Sequence, residues 1–155
     1  MISFTVKERD WVLLPSRKLQ VNSDYESMIQ GLEKIFSTDK QNVINGTSIP
    51  FRYNPNYGNN LNYVRALNPL IGVDEAVNAV RDEARETIIN YTRIQKDKIA
   101  RGLGDDGIIV DAVVDAFKTR VTEFGVTRDV IKWNAEINTR SGKTINREDT
   151  AVVVS

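Results

Sequence analysis

Apolar residues recur at helical spacing in two stretches of the chain. Tyr25, Met28, Ile29, Leu32, Ile35 and Phe36 fall on one face at i, i+3, i+4 and i+7, which predicts an amphipathic helix starting at Asp24. Ser23-Asp24-Tyr25-Glu26 ahead of it reads as a capping box, the Ser23 hydroxyl serving an orphan amide and Glu26 reaching back. Asp74 reads as the N-cap of a longer helix running to about Lys98, with Ala76, Val77, Val80, Ala84, Ile88, Tyr91 and Ile94 on the buried side. A further helix is expected over about Ile108 to Phe124, with Ile109, Val110, Val113, Val114, Phe117 and Val121 inward and Gly125 as its C-terminal cap.

Elsewhere the period is two or absent. Ile131, Trp133, Ala135 and Ile137 alternate with Lys132, Asn134, Glu136 and Asn138, the pattern of a half-buried strand. Ser141-Gly142 supplies a turn, Lys143 to Ile145 pairs back, and Ala151 to Val154 is a short run of high strand propensity. That terminal run fits either an internal strand or one that pairs with a neighbouring chain. Between Ser37 and Leu61, Asn45-Gly46 signals a tight hairpin within 43–49, and Phe51 to Asn60 forms an ordered loop rich in aromatics, with Pro55 and Gly58 setting its turns. The loop aromatics Phe51, Tyr53 and Tyr57 suit either a satellite core over the first helix or a contact surface. Leu61 to Leu67 predicts a short helix that ends before Pro69. Residues 1–22, where Pro15 interrupts Trp11 to Leu14, read as an extended arm. The expected fold is α+β, amphipathic helices packed on a small, mainly antiparallel C-terminal sheet, with residues 23–155 as one domain.

Composition narrows the chemistry. The chain has 155 residues, 21 basic against 21 acidic, with no histidine and no cysteine. The neutral total provides no electrostatic footprint for nucleic acid or an anionic membrane. Without imidazole or thiolate, the usual zinc, haem and iron–sulfur ligands and the Ser-His-Asp and Cys-His constellations are missing, so no cofactor is expected. The charged start lacks a signal-peptide core and no run is long enough to span a bilayer, which points to synthesis in the cytosol. Asp82 with Glu86, and Asp111 with Asp115, would share helix faces and could divide acid and base roles, although Arg81, Arg85 and Lys118 nearby make solvated charge networks the simpler account. Gly102 to Gly107 lacks the Walker lysine and the complete dinucleotide spacing, and reads as a helix connector.

The order of features resembles a family: the baseplate wedge proteins of contractile phage tails that initiate the sheath, with relatives in type VI secretion and other contractile injection systems. The resemblance is carried by Met28 to Thr38, by the loop Tyr53-Asn54-Pro55-Asn56-Tyr57-Gly58-Asn59-Asn60-Leu61, and by a downstream helix containing Ala84 to Ile94. Arg93-Ile94 match the family's arginine and its neighbour, whereas Tyr91 and Thr92 stand where glutamate and proline are common. The resemblance implies a non-enzymatic structural protein of the virion tail baseplate. Its partners would be other wedge subunits and the sheath protein, with no nucleic acid and no membrane. It also implies that Tyr53, Pro55, Tyr57, Gly58, Leu61 and Arg93 make wedge contacts, while an edge strand including Val152, Val153 and Val154 pairs with a sheath strand. The alternatives are a small carboxylate-dependent hydrolase of cell-wall glycans and a tail-completion or adaptor protein.

Overall fold

A computed structural model describes residues 6–7, 10–11, 24–38, 41–44, 47–50, 57–61, 64, 71–102 and 108–153. Its elements in chain order are β1 (Val6–Lys7), β2 (Asp10–Trp11), α1 (Asp24–Phe36), β3 (Gln41–Ile44), β4 (Thr47–Pro50), α2 (Val73–Ala100), β5 (Ile109–Glu123), β6 (Val126–Thr139) and β7 (Thr144–Val153). The architecture is α+β: two helices pack on a three-stranded antiparallel C-terminal sheet of order β5-β6-β7. Two small antiparallel pairs, β1 with β2 and β3 with β4, complete the described strands. Ile44 opposite Thr47 leaves two residues for the β3–β4 turn, the hairpin expected from Asn45-Gly46.

Both helices form where the apolar stripes put them. Met28, Leu32 and Ile35 of α1 are buried with Ala76, Val80, Ala84, Ile88 and Tyr91 of α2. The start of α2 differs from expectation. Gly72 is the N-cap, without a side-chain hydrogen bond, and Asp74 lies in the first turn with Glu75, where both carboxylates face the positive end of the helix dipole. Ser23, the expected cap of α1, lies outside the described residues, as do the expected connector residues 103–107 and most of the short helix, of which Leu61 and Val64 are described as helical.

The segment expected as a third helix is instead strand β5. It pairs with β6 from Ile109↔Thr139 to Glu123↔Val126, and Phe124-Gly125 is a two-residue turn, not a helix cap. Val113, Phe117 and Val121 are spaced by four, an interval that returns to the same side of a strand as well as of a helix. Apolar residues on both faces of β5 therefore mimic a helical stripe. The β-branched Val110, Val113, Val114, Thr119, Val121 and Thr122 favour the extended form, and a long complementary strand two residues away supplies the backbone partners. A register shift between Ile109 and Asp111 lets Ile109 stay buried while Ala112, Val114 and Ala116 take the inner face beyond it.

The alternation read in β6 faces the helices as expected: Ile131, Trp133, Ala135 and Ile137 are buried. Trp133 stacks on Phe36 of α1 with ring centroids 4.6 Å apart, tying the first helix to the central strand. The Arg147 guanidinium of β7 lies 5.0 Å from the Phe36 ring and 5.9 Å from the Trp133 ring, a cationic lid on that stack. No described helix is long and apolar enough to cross a membrane.

Candidate assembly surface

Helix α1 ends without a glycine cap, so its last carbonyls need other donors. Asn59, 3% exposed, supplies them: its Nδ2 donates to the carbonyls of Ile35 at 3.0 Å, Phe36 at 2.8 Å and Thr38 at 3.0 Å. Its backbone N–H donates to the Thr38 carbonyl, and its Oδ1 accepts from the Leu61 N–H at 3.0 Å. Next to it the Asn60 N–H donates to Glu83 Oε1 of α2 at 2.7 Å. The loop is thus bolted to both helices through Asn59 and Asn60.

The residues that carry the resemblance divide accordingly. Gly58, at φ 101°, takes the left-handed conformation that delivers Asn59 to the helix end. Tyr57 and Leu61 are partly buried and pack against the main core, which places Tyr57 in the satellite-core role. Burial raises the Tyr57 hydroxyl above its ordinary pKa. Tyr53, Pro55 and Val154 lie outside the described residues. Arg93 sits on the exposed side of α2 and donates to Asn90 Oδ1 at 3.3 Å. It is remote in sequence and role from the Asn59 junction.

Gly31 and Tyr91 set the approach of the two helices. A methyl group on Gly31 would lie 2.9 Å from Tyr91 Cζ and closer still to the hydroxyl, so only glycine admits the ring there. The Tyr91 hydroxyl donates to the Met28 carbonyl at 3.3 Å. Burial and the neighbouring Tyr57 push its pKa up to about 12, against a Gln95 hydrogen bond acting the other way.

The sheet presents two outer strands. In β7, Val152 and Val153 pair with Ile131 and Val130, so the terminal run is an internal strand, with β7 at the margin of the sheet. Ala151 is buried in the core, and the Thr150 N–H donates to Asp149 Oδ1 at 2.8 Å on its own strand. At the other margin the Ala116 N–H of β5 is likewise occupied by Asp115 Oδ1 at 2.8 Å. Between β5 and α2 runs a groove of about 610 Å³, floored by Ile88, Ile109 and Val114 and flanked by Arg85, Arg93 and Lys96.

Asp111 and Asp115, expected together on a helix face, are exposed residues of strand β5; Asp82 and Glu86 are exposed on α2. Asp129 is the acidic group with the clearest partners. Hydrogen bonds from Lys118 Nζ at 3.1 Å and Arg120 Nε at 3.0 Å hold its carboxyl below the ordinary carboxylate range. Among the described residues no group of three or more acidic side chains is placed to hold a metal ion. Asn59 has no signal of its role in the sequence: it lies inside the loop Tyr53 to Leu61, but its target, a helix end more than twenty residues earlier, leaves no periodic pattern.

The fold and this surface define an α+β protein whose sheet carries two marginal strands beside a two-helix layer. No family model, curated protein or solved structure matches the chain.

Proposed function

We propose that the protein is a structural baseplate wedge subunit of a contractile phage tail or related injection system, which contacts other wedge subunits and templates the sheath through a marginal strand. The observation that carries this reading is strand β7, held in register by β6 on one side while forming the margin of the three-stranded sheet on the other. An extended segment of a sheath subunit can add there by backbone hydrogen bonding alone. The helix segment Met28 to Thr38, the loop Tyr53 to Leu61 and Arg93-Ile94 support the same reading through their resemblance to the family.

Deleting residues 149–155 would remove Ala151 from the core and the pairing of Asp149, Thr150, Val152 and Val153 with β6, and so would disturb the sheet itself. Thr150→Pro is sharper. It removes an N–H that bonds the Asp149 side chain and inserts a ring that an added strand must avoid. Circular dichroism should report a folded variant, and tail-reconstitution assays viewed by electron microscopy should show baseplates without sheaths. A folded Thr150→Pro protein that supports sheaths of normal length would sink the templating role.

A further inference from the structure

The groove between α2 and β5 has a charge, a floor and a backbone edge that together specify an occupant. Arg85, Arg93 and Lys96 line it against the single carboxylate of Asp111, a net of two positive charges. None of the three cations has an acidic partner among the described residues, and Arg93 reaches only the neutral Asn90. The acids nearby on α2 do not balance them: Asp82 lies beside Arg81, and neither it nor Glu86 belongs to the lining. Along the helix Arg85 stands about 12 Å from Arg93, with Lys96 close to one turn further on. The cations therefore form a row and not a pocket for one small anion. Beneath the row the floor is apolar, with Ile89 and Val110 exposed at its mouth.

The wall opposite the helix is the free margin of β5. The Ala116 N–H bonds its own Asp115 side chain at 2.8 Å and so points away from β6. Pairing with β6 runs without a break from Asp111 to Glu123, and backbone groups alternate in direction along a strand. Ala112 and Val114 therefore turn their N–H and C=O groups to the same margin, and both residues line the groove. Among the described strands β5 pairs with β6 alone, so this stretch of margin is open, and Asp115 closes it one step beyond. On the outer face of the sheet Val113, 62% exposed, stands between Asp111 and Asp115. A chain laid along this margin would have two unlike sides: one toward the cations of α2, the other toward Val113 and its acidic neighbours.

We propose that this groove binds an extended acidic segment of a partner protein, with aspartate or glutamate at alternate positions toward Arg85, Arg93 and Lys96 and apolar residues between them over Val113. Acids at i and i+4 of a strand are about 13 Å apart, close to the spacing of Arg85 and Arg93. The open backbone groups of Ala112 and Val114 select a polypeptide over other anions, because a fatty acid or a nucleic acid has no ladder of amides to pair with them. The contact uses α2 and β5 only, so its failure leaves the proposed use of β7 untouched, and the reverse.

The test is an amide NMR titration of the full chain with a synthetic heptapeptide of alternating glutamate and valine, acetylated and amidated, taken to about 1 mM, the weak end of the affinity scale. The Ala112 and Val114 amides should shift saturably, and the affinity should fall as salt is added. The same peptide with lysine in place of glutamate should not bind. Methylating the glutamate nitrogens and methylating the valine nitrogens should differ in effect by at least about tenfold, since only one of the two sets can face β5. The double variant Arg93→Glu/Lys96→Glu should bind the glutamate peptide at least about tenfold more weakly and should take the lysine peptide instead, a gain that a misfolded variant could not show. The proposal is overturned if the Ala112 and Val114 amides do not move, if the double variant binds the glutamate peptide like the wild type, or if the two methylated peptides behave alike. It is overturned equally if sodium laurate or an oligothymidylate displaces the peptide from the same amides.

Discussion

Replacing Asn59 with alanine tests whether the loop is a structural bolt. The two hydrogens of the side-chain amide are shared among the carbonyls of Ile35 and Phe36 at the end of α1 and of Thr38 just beyond it, and its Oδ1 accepts the Leu61 N–H, all from a residue 3% exposed. Carbonyls cannot donate, so the surroundings fix the amide orientation with Nδ2 toward the helix. A buried polar group left without its partner costs about 1–3 kcal/mol, and water can reach the part-buried Phe36 and Thr38 carbonyls, so Asn59→Ala should lose about 3 kcal/mol. For a chain of this size that corresponds to a fall of about 6–12 °C in Tm. Asn59→Asp keeps the shape but turns an oxygen toward three carbonyl oxygens. At neutral pH it should be less stable than the alanine variant. Its carboxyl would be forced toward the protonated form, a raised folded-state pKa, so its stability relative to the wild type should be best at acid pH and fall as pH rises. Urea unfolding followed by fluorescence of the buried Trp133, repeated across pH, measures both effects. A loss below about 1 kcal/mol for Asn59→Ala, or an aspartate variant with the pH profile of the wild type, would refute the capping argument.

Gly31→Ala should destabilise by about 1–3 kcal/mol despite the better helix propensity of alanine, because the new methyl meets the Tyr91 ring. Tyr91→Phe, which removes the nearest atom, should recover part of that loss in the double variant, and additive losses in denaturant titrations would contradict the clash. Tyr91 also sets an alkaline limit. Its hydroxyl ionises near pH 10 when unfolded and at about 12 when folded, so stability is intact below 10 and falls as pH rises between those values. The loss should reach about 2–3 kcal/mol in urea midpoints, and Tyr91→Phe should flatten that part of the profile.

The loop carries residues of two kinds. Tyr57, Gly58 and Leu61 stand out by type, as an aromatic, a flexible residue and an apolar anchor, whereas the neighbouring Asn59 and Asn60 make the hydrogen bonds that hold the helices together. Asparagine in a loop is ordinarily a turn residue, and nothing in its local spacing reveals a target more than twenty residues away. Of the candidate contacts among the described residues, Arg93 lines the groove beside β5.

What the sequence determined by itself is every element whose packing has one period and one buried face. The stripes of α1 and α2 and the alternation of β6 each name their own core residues, because a helix or strand with one dry side can be oriented only one way. What only the tertiary structure decided is the identity of β5 and the fate of its apolar residues. Their spacing serves a helix or a strand equally, and pairing with β6 across Phe124-Gly125 selects the strand. That pairing buries Val114 and Ala116, leaves Val113 outside, and carries Phe124 to the end of an arm, far from any core. Backbone hydrogen bonding between distant residues made that choice, and such pairing has no signature within either strand alone.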